Sequence, residues 1–316
     1  MCGASRRSHM ARPLAQVVDE AFRDPQLRRL PGALPGCIVP LEESSMNDGK
    51  DFLRKYGPWA LVAGGSEGLG AALAEELAVR GLNLILLARR PGPLEETAAR
   101  LRAAHGVEVR TLPADLADPD TLAAVDRETA NVEIGLLVCD AAMSSTGSFL
   151  TMDLSEYHRM LDVNCRSAIS LMYTLGGKMA ARRRGGILVM SSLAGFQGSP
   201  LVAVYGATKS FLLSIAEALA DELKPLGVDV TACCPAVVNT PHFLSDSHNP
   251  KGPTPLSKEP AEVARAAIRG LGRKRIVIPG AMSKLAYFMM SRILPRATAV
   301  SMIGRNTRAM YGERLS

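Results

Sequence analysis

From Trp59 onward, short apolar runs alternate with longer segments whose apolar residues recur at helical intervals. The runs Trp59–Gly64, Leu82–Ala88, Val107–Pro113, Ile134–Cys139, Gly186–Ser191 and Val228–Cys234 read as strands. Leu69–Arg80, Leu94–Ala104, Thr121–Thr129 and Tyr205–Leu223 read as helices, and Leu154–Ala181 as one long helix. A helix at Glu262–Gly270 and a strand at Arg275–Ile278 end the rhythm. Near-continuous apolar strands joined by helices predict an α/β fold, a doubly wound parallel sheet covered on both faces. A ligand is then expected at the carboxyl ends of the strands.

Three stretches fall outside this pattern. Residues 1–50 lack a sustained apolar period and are broken by Pro31, Pro35 and Pro40, which predicts an N-terminal arm, either mobile or preceding a true start at Met46. Arg6–Arg7 resembles a twin-arginine signal, but Arg12 and Asp19 interrupt the apolar run that such a signal needs. Within the domain expected at 51–280, residues 236–258 hold Pro241, Pro250, Pro253 and Pro255 and no clear period; a lid or substrate loop is expected there. Residues 281–316 form an apolar and basic helical tail, broken at Pro295.

Composition narrows the class. With 47% apolar and 22% charged residues, the chain is an ordinary globular protein, not a disordered or collagen-like one. The longest charge-free run, Gly185–Thr208, contains five Gly, a Pro, three Ser and a Gln, too polar and broken for a lipid-facing helix. Residues 264–316 carry 11 Lys or Arg against one acid, a net +10, whereas the preceding residues carry 26 against 30, a net −4. Such a tail suits a solvated face, an anionic lipid surface or an acidic cofactor; no aromatic-rich basic stripe points to nucleic acid. Cys139, Cys233 and Cys234 lie in apolar strand-like runs and Cys165 in a helical one, as expected for buried thiols in a cytoplasmic protein, and the five His show no metal-ligand spacing. No metal is expected.

The candidate chemistry begins at Ala63-Gly64-Gly65-Ser66-Glu67-Gly68-Leu69-Gly70. Gly64, Gly68 and Gly70 let the backbone turn tightly against a pyrophosphate, and the next helix offers its free N–H groups to that anion. Such a turn between strand and helix is the phosphate cradle of a Rossmann-type dinucleotide site. Arg89, ending the second strand where an acid would bind the ribose diol of NAD, suits the 2′-phosphate of NADP; a surface arginine is the alternative. Asp115 suits either a hydrogen bond from adenine or a helix N-cap. Tyr205 and Lys209, at i and i+4, share one helix face, and Ser192 ends a strand thirteen residues earlier. The ammonium is expected to lower the tyrosine pKa so that it works as a general acid, while Ser192 polarises a carbonyl.

Together these residues resemble the short-chain dehydrogenase/reductase family over roughly residues 56–280. The resemblance implies that Tyr205 transfers the proton, and that Lys209 binds the nicotinamide ribose and tunes Tyr205. It implies further that Ser192 orients substrate and Asn164 holds a proton-relay water. It places Ser66, Leu69, Pro235 and Thr240 with the glycines, Arg89 and Asp115 among the NADP(H) contacts, and it implies a homo-oligomer. Lys55-Tyr56-Gly57-Pro58-Trp59-Ala60, Val132-Glu133-Ile134-Gly135-Leu136-Leu137-Val138 and Asn306-Thr307-Arg308-Ala309-Met310-Tyr311 are similar to the 17β-hydroxysteroid dehydrogenase and very-long-chain 3-oxoacyl-CoA reductase branch. That similarity implies NADPH-dependent reduction of a bulky, lipid-like ketone.

The chain departs from the family pattern at three places. Ala63-Gly64 stands for Thr-Gly, Cys139-Asp140-Ala141-Ala142 for Asn-Asn-Ala-Gly, and Pro235-Ala236 for Pro-Gly. The second departure supports a competing reading, a cofactor-binding regulatory or scaffold protein with little catalysis. The complete set Asn164, Ser192, Tyr205 and Lys209 argues for the enzyme.

Overall fold

The computed structural model describes residues 47–246 and 256–311. The expected arm therefore lies outside the described residues except for 47–50, which open a helix, α1 (Asn47–Tyr56). This corrects the arm's boundary. Five of the ten residues of α1 are charged, which hid it in the sequence. It is held by Phe52 and Tyr56, one turn apart, with ring centroids at 4.8 Å. Both pack on the core of the sheet's first face.

Beyond α1 the chain forms β1 (Trp59–Ala63), α2 (Gly68–Ala78), β2 (Asn83–Ala88), α3 (Pro91–His105), β3 (Val109–Pro113), α4 (Thr121–Thr129) and β4 (Ile134–Cys139). After β4 come α5 (Leu154–Leu161), a π-turn (Asp162–Arg166) and α6 (Ser167–Ala181), and then β5 (Gly185–Met190). The second half continues with α7 (Ala203–Glu222), β6 (Val228–Cys233), α8 (Pro241–Asp246), α9 (Pro260–Gly270) and β7 (Ile276–Val277). The tail forms α10 (Ala281–Phe288), a π-turn (Met289–Ile293) and α11 (Arg296–Tyr311). The expected single helix over Leu154–Ala181 is thus two helices joined through a widened turn.

The seven described strands are all parallel, in the order β3-β2-β1-β4-β5-β6-β7. Alternation sorts their side chains. Ala60, Val62, Leu84, Leu86, Leu136, Val138, Leu188 and Met190 face α2, α3 and α9. Leu61, Ala63, Ile85, Leu87, Leu137, Cys139, Ile187 and Val189 face α6 and α7. Burial on both faces explains why the strands read as unbroken apolar runs. Cys233 and Cys234 fall in opposite cores, so this vicinal pair is no disulfide. Strand order reverses between β1 and β4, which makes the carboxyl ends of these strands the topological switch point where such folds bind ligands.

The opposite end of the sheet is pinned by a buried carboxylate. Asp229, 4% exposed at the start of β6, accepts from the Tyr56 hydroxyl at 2.6 Å and from Lys224 Nζ at 2.8 Å, and pairs with Lys55. Burial alone would raise its pKa. Hydrogen bonds from Lys224, Lys55 and Tyr56 outweigh that and hold it below the usual carboxylate range.

Candidate active site

The glycine turn leaves β1 at Ala63 and bends back on the loop after β4. Gly64 takes φ +98°, and a Cβ there would stand 2.6 Å from the Ala141 nitrogen. A Cβ on Gly70 would stand 2.0 Å from the Gly64 carbonyl oxygen. Only glycine fits either position. Gly68 opens α2 against Thr240, whose Cγ2 lies 3.2 Å from where a Cβ would be. The Ser66 carbonyl accepts from the Thr97 hydroxyl at 2.7 Å, and Leu69 packs on the core. Glu67, the N-cap of α2, makes no side-chain cap, so the first-turn N–H groups are open to an anion. The cradle fits a dinucleotide diphosphate.

Arg89 is exposed and makes no ion pair among the described residues, while its neighbour Arg90 is tied to Glu67 at 2.6 Å. An available guanidinium at the end of β2 fits a 2′-phosphate. Asp115 lies within electrostatic reach of Arg89, but its carboxylate accepts from the Ala117 N–H at 3.0 Å and from Arg159 Nη2 at 2.5 Å. The N-cap of α4 is Asp120, so the capping role for Asp115 is corrected. No sequence pattern pointed to Arg159, which comes from the distant helix α5.

The four candidate catalytic residues lie close together, around the first turns of α7. Asn164 sits in the π-turn between α5 and α6, 1% exposed. Its Oδ1 accepts from the Met143 N–H at 2.7 Å, and its Nδ2 donates to the Met143 carbonyl at 2.9 Å and to the Thr208 hydroxyl at 3.0 Å. Lys209 on α7 is buried and donates from Nζ to the Met190 carbonyl at the end of β5, 2.8 Å away. The same Nζ lies 5.6 Å from the centre of the Tyr205 ring. Ser192 begins the turn Leu193–Gly195, accepts from the Ala194 N–H at 3.2 Å, and lies near enough to Tyr205 to favour its ionised form. That turn is stitched to its neighbours: Ser191 Oγ donates to the Lys209 carbonyl at 2.7 Å, Ser210 Oγ to the Gly195 carbonyl at 2.6 Å, and the Leu193 N–H to the Pro235 carbonyl at 2.9 Å.

Electrostatics here differ from the expectation that Lys209 lowers the tyrosine pKa. Burial pushes Tyr205 up to about 12; Ser192 opposes this and the charge of Asp140 adds to it. Burial also lowers Lys209, partly countered by the same Asp140. Asp140 has no role in the chemistry expected from sequence. It follows β4 at the switch point, and its Oδ2 lies 2.9 Å from where a Cβ on Gly70 would stand.

The segment that follows Ser192 is backed by the tail. Phe196, just beyond the Ser192 turn, meets Tyr287 at 4.4 Å between ring centroids, and Gln197 Nε2 donates to Met290 Sδ at 3.3 Å. Pro200 packs where a Cβ on Gly304 would stand, and Ala299 of α11 is fully buried. Leu201 takes φ +69° and its carbonyl accepts from the Gly147 N–H at 2.8 Å, a strained residue bracing two loops beside Tyr205. Of the loop expected at 236–258, Pro241–Asp246 is helical; residues 247–255 lie outside the described residues.

Comparison with known proteins adds independent information. A family model described as short chain dehydrogenase matches residues 58–251. A 7β-hydroxysteroid dehydrogenase of Clostridium sardiniense is 30% identical over 234 residues, 74% of this chain and 90% of that one. A very-long-chain 3-oxoacyl-CoA reductase of Podospora anserina is 34% identical over 196 residues, 60% of this chain and 58% of that one. Among solved structures, a short-chain dehydrogenase from Sphingobium yanoikuyae in complex with NADPH has a TM-score of 0.66 and 32% identity, covering 75% of this chain and 97% of that one.

Proposed function

The chain belongs to the short-chain dehydrogenase family and is an oxidoreductase; on that premise we propose that it reduces a bulky, lipid-like ketone with NADPH. The observation that carries this is the convergence of Ser192, Tyr205 and Lys209 beside a glycine cradle with an available arginine at its rim. Gly64, Ser66, Gly68, Leu69 and Gly70 hold the diphosphate, Arg89 the 2′-phosphate, and Lys209 the nicotinamide ribose. Pro235 and Thr240 close the site from the β6 side, and Asp115 sets the adenine end through Arg159. When bound, NADPH supplies a hydride to the carbonyl carbon.

The chain's own groups do the rest. Ser192 donates to the carbonyl oxygen and fixes it beside Tyr205. As the new C–H bond forms and the C=O π bond opens, the oxygen takes its proton from the Tyr205 hydroxyl. A pKa near 12 keeps Tyr205 protonated before the step. Ser192, the group that favours the ionised form of Tyr205, steadies the phenolate left behind. The Asn164 amide is committed to Met143 and Thr208, so a relay water is assigned to its main-chain carbonyl in the widened π-turn. Alcohol oxidation runs through the same groups in reverse.

The bulky substrate class rests on the tail packing behind the Ser192 turn and on the names of the relatives. Following NADPH oxidation with steroid ketones, 3-oxoacyl thioesters and small aromatic ketones tests it. Turnover is expected with the first two, and activity confined to small ketones would refute it. A homo-oligomer has a surface available. Leu161, Ile169 and Phe211 are exposed and line one groove across α5, α6 and α7, beside the 84% exposed Tyr173. Light scattering should give at least twice the chain mass. None of the described helices is long and apolar enough to cross a membrane. Peripheral contact is assigned to exposed Leu285, Phe288 and Ile293 with Lys284, Arg292 and Arg296.

A further inference from the structure

Among the described residues, the Asp140 carboxyl is the one charged group set against the glycine cradle from the sheet side that the proposed reaction does not use. Its backbone is fixed: the Asp140 and Ala141 N–H groups both donate to the Ala63 carbonyl, at 3.0 and 2.7 Å. That places the side chain under the turn, with Oδ2 against Gly70. No hydrogen bond or ion pair from the described residues satisfies the carboxyl; its electrostatic neighbour is Lys209, whose Nζ is already engaged by the Met190 carbonyl. The other titratable groups that feel it are Tyr205 on α7, Cys139 on its own strand and Cys233 on β6; from α2 it meets Gly70. Lys209 is thus the single cation among the described residues opposing its charge, and a ligand diphosphate would add negative charge on the side where only glycine lies.

We propose that Asp140 couples cofactor binding to proton uptake: the diphosphate of NADP(H) enters the cradle together with one solvent proton, which forms an O–H bond on the Asp140 carboxyl. This rests on the assignment of the glycine turn as the cofactor cradle. The asparagine of the family pattern is neutral at every pH, so the coupling belongs to this chain. Two like charges packed closely at a part-buried site disfavour joint ionisation. In the free protein burial pushes Asp140 up to about 6, with Lys209 opposing. At pH 7 to 8 the free carboxyl is therefore mostly charged and gains its proton on binding. Well below pH 6 it is already neutral and binding takes up no proton there, and at pH 6 uptake is limited to the fraction still charged. Cofactor affinity accordingly falls as pH rises through the neutral range.

Isothermal calorimetry on the full chain tests this. NADPH is titrated into the wild-type protein and the Asp140→Asn variant at pH 6 and pH 8, in buffers of different ionisation enthalpy. The wild-type protein should take up more protons at pH 8 than the variant, by up to one. The ratio of wild-type to variant Kd should rise by ~3- to 10-fold from pH 6 to pH 8. The 2′-phosphate, which titrates near ~6, contributes to both proteins alike and cancels in that ratio. NADH, which keeps the diphosphate and lacks the 2′-phosphate, should still draw a proton onto the wild-type protein at pH 8, a readout independent of the variant's folding. Equal proton uptake and a pH-independent Kd ratio, or no uptake with NADH, would overturn the coupling while leaving the cradle intact. Failure of both proteins to bind NADPH would overturn the cradle assignment and the coupling with it.

Discussion

Asn164 Nδ2 donates to the Thr208 hydroxyl over 3.0 Å, joining the π-turn after α5 to the helix that carries Tyr205 and Lys209. The Thr208 hydroxyl in turn donates to the Tyr205 carbonyl at 2.8 Å. Both side chains are 1% exposed, so the bond has no water to replace it. Thr208→Val keeps the shape and strands the amide N–H, which should cost about 1–3 kcal/mol of stability. Urea denaturation checks this. An unchanged midpoint would mean that the contact does not hold the two elements together.

Arg89 should discriminate between cofactors. Arg89→Ala is expected to raise the Kd for NADPH by ~10-fold or more, since a charge-assisted, bidentate contact to phosphate is lost, and to leave the Kd for NADH nearly unchanged. Fluorescence titration with both cofactors makes the comparison; equal weakening would show that Arg89 does not read the 2′-phosphate.

The Asp229 cluster should give the fold an acid-sensitive component. Its folded pKa lies below the unfolded value of ~3.9. Its contribution is therefore complete above pH ~4 and is lost as pH falls through the folded pKa. Asp229→Asn should lower stability at pH 7 by about 1–3 kcal/mol, and the gap to wild type should shrink below pH ~4. A gap that stays constant from pH 7 to pH 3 would show that the carboxylate is not held ionised by Lys55, Lys224 and Tyr56.

The tail should matter most for large substrates. Ending the chain at Pro279 removes Tyr287 and Met290 from behind Phe196 and Gln197. NADPH binding should survive, because the cradle lies at β1, and kcat/KM should fall more for steroid or long acyl ketones than for small ones. The intact protein should also bind anionic vesicles in a salt-sensitive way, each basic residue near the surface contributing ~1 kcal/mol. An unchanged size preference, or no vesicle binding at low salt, would remove the corresponding role.

The sheet was legible because burial on both faces writes strands as unbroken apolar runs, and the glycine turn because tight backbone contact admits no side chain at Gly64 or Gly70. The features that escaped a reading of the sequence depend on contacts between distant residues. Helix α1 is mostly charged and is held on the core by Phe52 and Tyr56. The π-turn at Asn164 leaves the apolar period of α5 and α6 almost intact, so the two read as one helix. The Arg159 partner of Asp115 comes from 44 residues away. The raised pKa of Tyr205 arises from burial, which i,i+4 spacing with Lys209 does not report.

Tyr205 as proton donor is the central claim. The decisive measurement is single-turnover oxidation of bound NADPH by a bulky ketone, compared between the wild-type protein and Tyr205→Phe. The variant keeps the ring and loses the hydroxyl that would give the proton. NADPH binding should stay within a few-fold of wild type, with the rate reduced by at least ~10². A variant that binds NADPH and turns over at a rate close to wild type would contradict the assignment.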